Sequence, residues 1–406
     1  MKHPVFLYTS LAFLLVSCGN PGTEKPSSIS SSAETEFSSS SKESVSSSEE
    51  NPSEVPPSEE PAPSSSSESL HESSSFVEPP LEDLLTITFL EMNECYGDSF
   101  LIQYGDFDIL VDGGAAADAT SVRSGLKTYV KDGVLDMLIV SHPHADHTGG
   151  LSDRNTFREI TEVKTIVDYG YQYSTSLNRG YESNRQKSID AGAAYYPIST
   201  LFTDETLSPV FEIADGLTLE FLNTGAYLAP EEVRTSSFNH NETSIACALT
   251  YKDTKFFFAG DLEAKGERAI QSAYPGYFED SHVIYKASHH GSLTSNKEDF
   301  LRYLSPEAIL ISAALVAGNQ TANGIVAEQH PYIQTIRTFE KFTKDIYWNG
   351  LNGTFHYAID GEGRSTFRGE GAWYSYYVDG TKVDTESEKD LPFPETSWYA
   401  PYMALA

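Results

Sequence analysis

Apolar residues recur at alternate positions, or in short unbroken runs between turn residues, from about residue 84 onward. Residues 86–92, 100–104 and 107–111 read as strands on this pattern, with Gly97 and Gly105 marking turns. Strands then alternate with helices. The spacing predicts a helix over 122–130, strands over 136–140 and 163–168, and a helix over 182–194 from its polar positions. A second set opens with strands over 217–221, 244–251 and 255–259 and passes into a helix over 262–272. Segments 283–286, 296–303, 308–311, 332–342 and 345–348 complete it. Two β-then-α halves in about 275 residues predict one large α/β domain, two sheets packed face to face with helices outside.

That pattern is absent from residues 19–83, which are mostly Ser, Glu and Pro. Low hydrophobicity and one-signed charge leave no core to bury, so this stretch is expected to be a disordered tether. Residues 1–18 carry Lys2, an apolar stretch over 5–16, and Leu15-Val16-Ser17-Cys18. They resemble a lipoprotein signal, which implies cleavage before Cys18 and a lipid on its sulfur. The apolar stretch is too short to span a bilayer comfortably. The expectation is a domain held by its lipid at the cell surface, outside the cytoplasm.

At the other end, residues 361–406 are dense in aromatics: Trp373, Tyr374, Tyr376, Tyr377, Trp398, Tyr399 and Tyr402. Such a segment either binds sugar rings or choline-like cations or packs on the core as a small β appendage. The formal net charge is −32. Residues 84–360 alone hold 37 acidic and 20 basic residues, a net −17. Long-range attraction therefore does nothing for an anionic polymer, and metal ions or a local basic groove would have to supply it. Cys95 and Cys247 lie in or beside apolar runs, where a disulfide and two buried thiols are both open. No paired-cysteine spacing points to sulfur-bound metal.

The chemistry concentrates at residues 141–151, Ser-His-Pro-His-Ala-Asp-His-Thr-Gly-Gly-Leu, directly after an apolar run. His142 and His144 project to one side of an extended segment, and Asp146 and His147 follow where the chain must turn. Neutral imidazoles with a carboxylate suit zinc, iron or manganese, and a site with an open position activates water. The bland reading, a polar loop with chance histidines, fits poorly in a chain with eleven histidines. Three further strand ends offer ligands: Asp261 after 256–259, His289 and His290 after 283–286, and Asp112 after 109–111. A carboxylate at Asp112 would orient a ligand histidine rather than touch metal.

In this order, Val-Asp-Gly-Gly, the His142-to-His147 motif, Phe-Phe-Phe-Ala-Gly-Asp and Lys-Ala-Ser-His-His-Gly-Ser resemble the metallo-β-lactamase superfamily over residues 86–359. The resemblance implies a four-layer αββα sandwich with a two-metal site at the edge between the sheets. It gives His142 and His144 to one metal, Asp146 and His147 to the other, and makes Asp261 the bridge. Asn93 to Ile102, Asn241-Glu242-Thr243-Ser244 and His289-His290-Gly291-Ser292 resemble one branch. That branch includes the hydrolase domain of competence-type DNA-uptake channels and surface phosphorylcholine esterases. Asp98, Asn241 and Ser244 are then expected in supporting positions beside Asp112. His290 is favoured over His289 as last ligand because it directly precedes Gly-Ser. His240 stands where it could replace the family's middle histidine, often lost in this branch. His330, in a His-Pro pair before a helix, either contacts substrate or simply enters the helix.

These features imply a metal-dependent hydrolase, a phosphodiesterase acting on extracellular nucleic acid or a wall-linked phosphodiester. Two divalent metals, zinc before manganese or iron, would activate water between them, with Asp146 at the centre and Lys286 or His330 assisting from the rim. Lactone or β-lactam ring hydrolysis is the enzymatic alternative, and a catalytically silent surface-binding lipoprotein is the alternative of another class. Nothing in the sequence points to an obligate protein partner.

Overall fold

The structure, a computed structural model, describes residues 83–92, 96–227, 238–314, 320–321, 324–325, 330–372, 377–378, 381–382, 386–397 and 399–404. The expected signal, Cys18, Cys95, nearly all of the tether, and Trp373, Tyr374, Tyr376 and Trp398 lie outside them.

In chain order, β1 (Leu85–Phe89), β2 (Phe100–Tyr104) and β3 (Phe107–Val111) form a meander. Next come α1 (Ala119–Tyr129), β4 (Val134–Val140), α2 (Ala145–Thr148), β5 (Glu162–Asp168), α3 (Ser176–Asp190) and β6 (Ala194–Pro197). The second half opens with α4 (Thr200–Thr203), β7 (Val210–Ala214), β8 (Leu217–Leu222), β9 (Ala246–Tyr251) and β10 (Thr254–Phe258). It continues through α5 (Ala264–Ala273), β11 (His282–Lys286), α6 (Glu298–Leu304) and β12 (Pro306–Ile311). Short β13 (Gln320–Thr321) and β14 (Gly324–Ile325) precede α7 (Ile333–Phe339), β15 (Asp345–Trp348) and α8 (Asn349–Asn352). The described chain ends with β16 (Phe355–Ile359), β17 (Ser365–Gly369), the pair β18 (Tyr377–Val378) and β19 (Thr381–Lys382), and α9 (Tyr399–Met403).

One sheet has the order β17-β16-β1-β2-β3-β4-β5-β6 and the other β15-β12-β11-β10-β9-β8-β7. Each is mixed: β3 to β6 run parallel in the first, and β10, β11, β12 and β15 in the second. Parallel neighbours need crossovers, and these place helices on the outer faces. Alternation then sorts the side chains. Phe256 and Phe258 point between the sheets, where they meet Phe100, Ile109 and Phe221. Phe257 points outward into a layer with Ile270, Phe300, Ile336 and Phe339. On the opposite outer face Leu110, Leu138 and Ile166 pack with Val122, Leu126 and Tyr181. Three apolar layers separate four structural ones, the expected αββα sandwich. Cys247 is buried in the middle layer, a cross-strand neighbour of Phe221 and Phe258, and burial holds its thiol well above the ordinary range.

The helix expected over 182–194 instead spans Ser176–Asp190, capped at Asn178 N–H by the Thr175 hydroxyl at 3.1 Å, and Ala194 already belongs to β6. The buried positions of α3 are Asn178, Tyr181 and Asn184, so its first turns carry no apolar periodicity. Those polar residues hold the site loop instead: Asn178 donates to the Pro143 carbonyl at 2.6 Å and Asn184 to the Leu151 carbonyl at 2.8 Å.

Residues 361–406 contribute β17 to the first sheet and bury Phe393 and Tyr402 against Trp348. The Tyr402 hydroxyl donates to the Pro331 carbonyl at 2.7 Å. Among the described residues no helix is long and apolar enough to cross a membrane.

Candidate metal centre

The site gathers on adjacent strand ends of both sheets. Asp112 follows β3, Ser141 and the histidine motif follow β4, Gly260 and Asp261 follow β10, and Ser288 to Gly291 follow β11. The close approach of the sheets depends on Gly260, where a Cβ would lie 2.6 Å from Ser141 Oγ and φ is +46°. Only glycine tolerates both demands.

Two groups of ligand atoms converge on Asp261. Asp146, His147, Asp261 and His290 form one, and His142, His144 and Asp261 the other, each with its atoms within 4.8 Å of one another. Asp261 Oδ1 lies 3.1 Å from His147 Nε2 and 3.2 Å from His290 Nε2. Its Oδ2 lies 3.8 Å from His142 Nε2. A carboxylate with one oxygen toward each group is placed to bridge two cations.

Outer contacts fix the rings. His147 Nδ1 donates to Asp112 Oδ2 at 2.8 Å, and that carboxylate also accepts from the Ser141 hydroxyl at 2.6 Å and its amide at 2.7 Å. His290 Nδ1 donates to the Ser312 carbonyl at 2.9 Å and lies 3.3 Å from Asp98 Oδ1. Each Nε2 is thereby turned toward Asp261, an arrangement typical of metal-ligating histidine. Ser244 Oγ accepts from the Asp261 amide at 3.1 Å, and Asn241 Nδ2 donates to Glu263 at 3.2 Å. Asp98, Asp112, Asn241 and Ser244 thus all touch a ligand or its immediate neighbours.

Charges are strongly displaced here. Burial works to lower His147 and His290, but Asp261 with Asp112 and Asp98 outweighs it and holds both well above the usual histidine range. Burial would raise Asp261 and Asp146, yet the surrounding histidines pull Asp261 well below the carboxylate range and Asp146 to about 2. His142 is pushed well below its usual value by burial and by the neighbouring histidines His147 and His144. A centre built from ionised carboxylates crowded by imidazoles is one in which a cation replaces protons.

The donor set fits metal on a second count. His142, His147 and His290 Nε2 and Asp261 Oδ1 are buried with no hydrogen-bond partner. Buried polar atoms are otherwise paired nearly always, so these orphans, grouped about the two oxygens of Asp261, call for cations as their partners.

Lys286 was expected at the rim, assisting catalysis. The structure corrects this: the residue is fully buried, with its ammonium bonded to Asp98 and, at 3.0 Å, to the Gly260 carbonyl. It neutralises Asp98 beneath the site. His240, expected as a possible ligand, belongs to neither ligand group. Its Nδ1 is bonded to the Tyr171 hydroxyl at 2.8 Å and its ring packs on Tyr173, 4.5 Å between centroids. Burial and then His144 push it down to about 4. His289 is also outside both groups, although its Nε2 lies 3.6 Å from Asp261 Oδ2.

His330 stacks on His289 at 5.0 Å between centroids and packs against a tilted Tyr96 at 4.7 Å, and burial, then His289 and His290, push it down to about 3. It stands at the site's edge as a neutral ring. The sequence did not single out Ser141, Ser312, Glu263 or Tyr96. Ser141 and Tyr96 carried a signal, the first as the opening residue of the histidine motif and the second as a member of the motif over 93–102.

The family model described as "Metallo-beta-lactamase superfamily" matches residues 92–312. ComE operon protein 3 of Bacillus subtilis (strain 168) is 22% identical over 223 residues, 55% of this chain and 24% of that protein. The chain therefore spans about a quarter of the curated relative it matches. Among solved structures, the metallo-beta-lactamase fold protein YhfI from Bacillus subtilis is 15% identical, covering 65% of this chain and 95% of its own, with TM-score 0.39. Human tRNase Z, short form, is 13% identical, covering 56% and 91%, with TM-score 0.34.

Proposed function

The chain belongs to the metallo-beta-lactamase superfamily, and from that footing we propose that it is a metal-dependent phosphodiesterase, held at the cell surface by a lipid on Cys18. Its substrate is a phosphodiester of extracellular nucleic acid or of a wall-linked polymer. Members of this superfamily are metal-dependent hydrolases with dinuclear sites. The observation that carries the reading here is the convergence of buried, unpartnered imidazole nitrogens on the two oxygens of Asp261.

His142, His144 and Asp261 would hold one divalent cation, and Asp146, His147, His290 and Asp261 the other. Bound there, a pair of cations, zinc in the first instance, supplies Lewis acidity toward phosphoryl oxygens and lowers the pKa of water. The protein's part is positioning. Asp112 and Ser312 lock the tautomers of His147 and His290, so neither ring must reorganise as charge develops. Asp146 is the more exposed carboxylate of the centre, 3.5 Å from His290 Nε2, and His330 packs beside His289 and His290. A neutral His330 offers a substrate oxygen a hydrogen bond without adding charge.

The phosphodiester assignment rests on the branch motifs Asn241 to Ser244 and His289 to Ser292. The net −17 of residues 84–360 favours a short, metal-held contact over an extended grip on a polyanion. The test is to purify the protein, measure bound metal, and assay bis(p-nitrophenyl) phosphate, DNA, a phosphorylcholine ester and a lactone with and without chelator. Chelator-sensitive turnover of a phosphodiester is expected. Turnover of the lactone alone would replace the substrate class, and a metal-free, inactive protein would remove the hydrolase reading. Cys18→Ala should release the protein from the membrane fraction.

A further inference from the structure

The two ligand groups are unequal: one has four residues, the other only His142, His144 and the shared Asp261. The oxygens of Asp261 sort the surrounding histidines. Oδ1 faces His147 and His290, at 3.1 and 3.2 Å, whereas Oδ2 faces His142 and His289, at 3.8 and 3.6 Å. His289 therefore stands on the side of the incomplete group, while its neighbour His290 serves the complete one.

The backbone is bent to achieve this. His289 and His290 are consecutive non-glycine residues in the left-handed region, with φ of 51° and 52°. That conformation is unfavourable for a side chain bearing Cβ, and two in succession persist only where surrounding contacts enforce them. Those contacts are present. The His289 amide donates to the Gly260 carbonyl at 3.0 Å, and Asn296 Nδ2 donates to the Ser288 and Ser292 carbonyls at 2.9 and 3.1 Å. Ordinary extended or helical backbone would not turn both rings toward one carboxylate.

His289 also has the outer partners of a ligand. Its Nδ1 lies 3.1 Å from Thr294 Oγ1 and 3.6 Å from Glu263 Oε1, which leaves Nε2 toward Asp261. His240 lacks that relation. It stands behind His144, bonded to Tyr171 and packed among Tyr173 and Phe238, as part of an aromatic wall.

We propose that the adjacent histidines are divided between the two cations, His290 serving the Asp146–His147 site and His289 completing the His142–His144 site in place of a histidine from elsewhere in the chain. This rests on the metal-hydrolase reading above and adds to it the ligand that makes the second site whole.

The test uses the full chain stripped with chelator and titrated with Zn²⁺ by calorimetry, circular dichroism checking the fold. Wild type should take up two ions. His289→Ala should keep one with unchanged affinity and bind the other at least about tenfold more weakly, while His240→Ala keeps both affinities. Should His289→Ala not fold, ring-nitrogen NMR of wild type during the titration decides. His142, His144, His147, His289 and His290 should show metal-bound Nε2 shifts and His240 should not. Two unchanged sites in His289→Ala, or a metal-bound shift at His240 and none at His289, overturns the proposal and leaves the hydrolase reading standing. A wild type that takes up no metal sinks both.

Discussion

His147 Nδ1 lies 2.8 Å from Asp112 Oδ2, and both groups are completely buried. Asp112 reaches this position from the end of β3 with φ of 55°, its carboxylate also accepting from Ser141. A strained backbone, two hydrogen bonds from one serine and a histidine thus form a single device for aiming one imidazole. Asp112→Ala should weaken metal binding by about 10- to 100-fold, the usual cost of losing such a partner. Chelator competition with Zn²⁺ reads it directly. An unchanged affinity would mean that packing alone orients His147.

Among the described residues, Asp261 is the one carboxylate common to both ligand groups. Asp261→Ala should therefore remove binding at both sites and all detectable hydrolysis, whichever substrate proves correct. Metal content by mass spectrometry and bis(p-nitrophenyl) phosphate turnover report on it. Retention of one tightly bound ion would show that the two groups do not depend on a shared bridge.

Lys286 and Asp98 form an ion pair with both side chains at most 1% exposed. Removing one partner strands the other charge in the interior, at a cost of about 3–5 kcal/mol. Lys286→Met should show that loss in urea unfolding, and Lys286→Met combined with Asp98→Leu should regain much of it. The double variant should still bind metal less tightly, because Asp98 also faces His290. A stability loss below about 1 kcal/mol in the single variant would contradict the buried-pair picture.

Much of this centre was legible because its ligands are local. Strand ends deliver them, and strands announce themselves by alternation, so β2, β3 and β15 fall where the pattern put them. The expectation of Lys286 at the rim overlooked the same alternation: Val283 and Tyr285 face the outer helices and Ile284 the inter-sheet layer, so Lys286 shares the inner face of Ile284. Other features had no local trace. The first turns of α3 bury asparagines and a tyrosine, chosen for the loop they hold. The division of His289 from His290 depends on positive φ and on contacts from Gly260 and Asn296. Neither shows in the sequence around them.

The turn that carries both histidines is itself held from a distance by Glu267. Its carboxylate, 1% exposed, accepts from the amides of Asn296 at 2.5 Å and Lys297 at 3.2 Å, and Asn296 in turn brackets residues 288–292. Burial raises Glu267 from 4.5 to about 8. Between those values the folded protein keeps a proton that the unfolded chain has lost. Stability therefore falls as pH rises through this window, and the loss is complete above about 8. Glu267→Gln, which cannot ionise, lacks this component. Glutamine keeps one of the two acceptor oxygens, so the readout is the change with pH: between pH 6 and pH 9 the variant's melting temperature should rise relative to wild type by at least about 2 °C, the scale of 1 kcal/mol in a domain of this size. Parallel pH profiles for the two proteins would place the Glu267 titration outside the window.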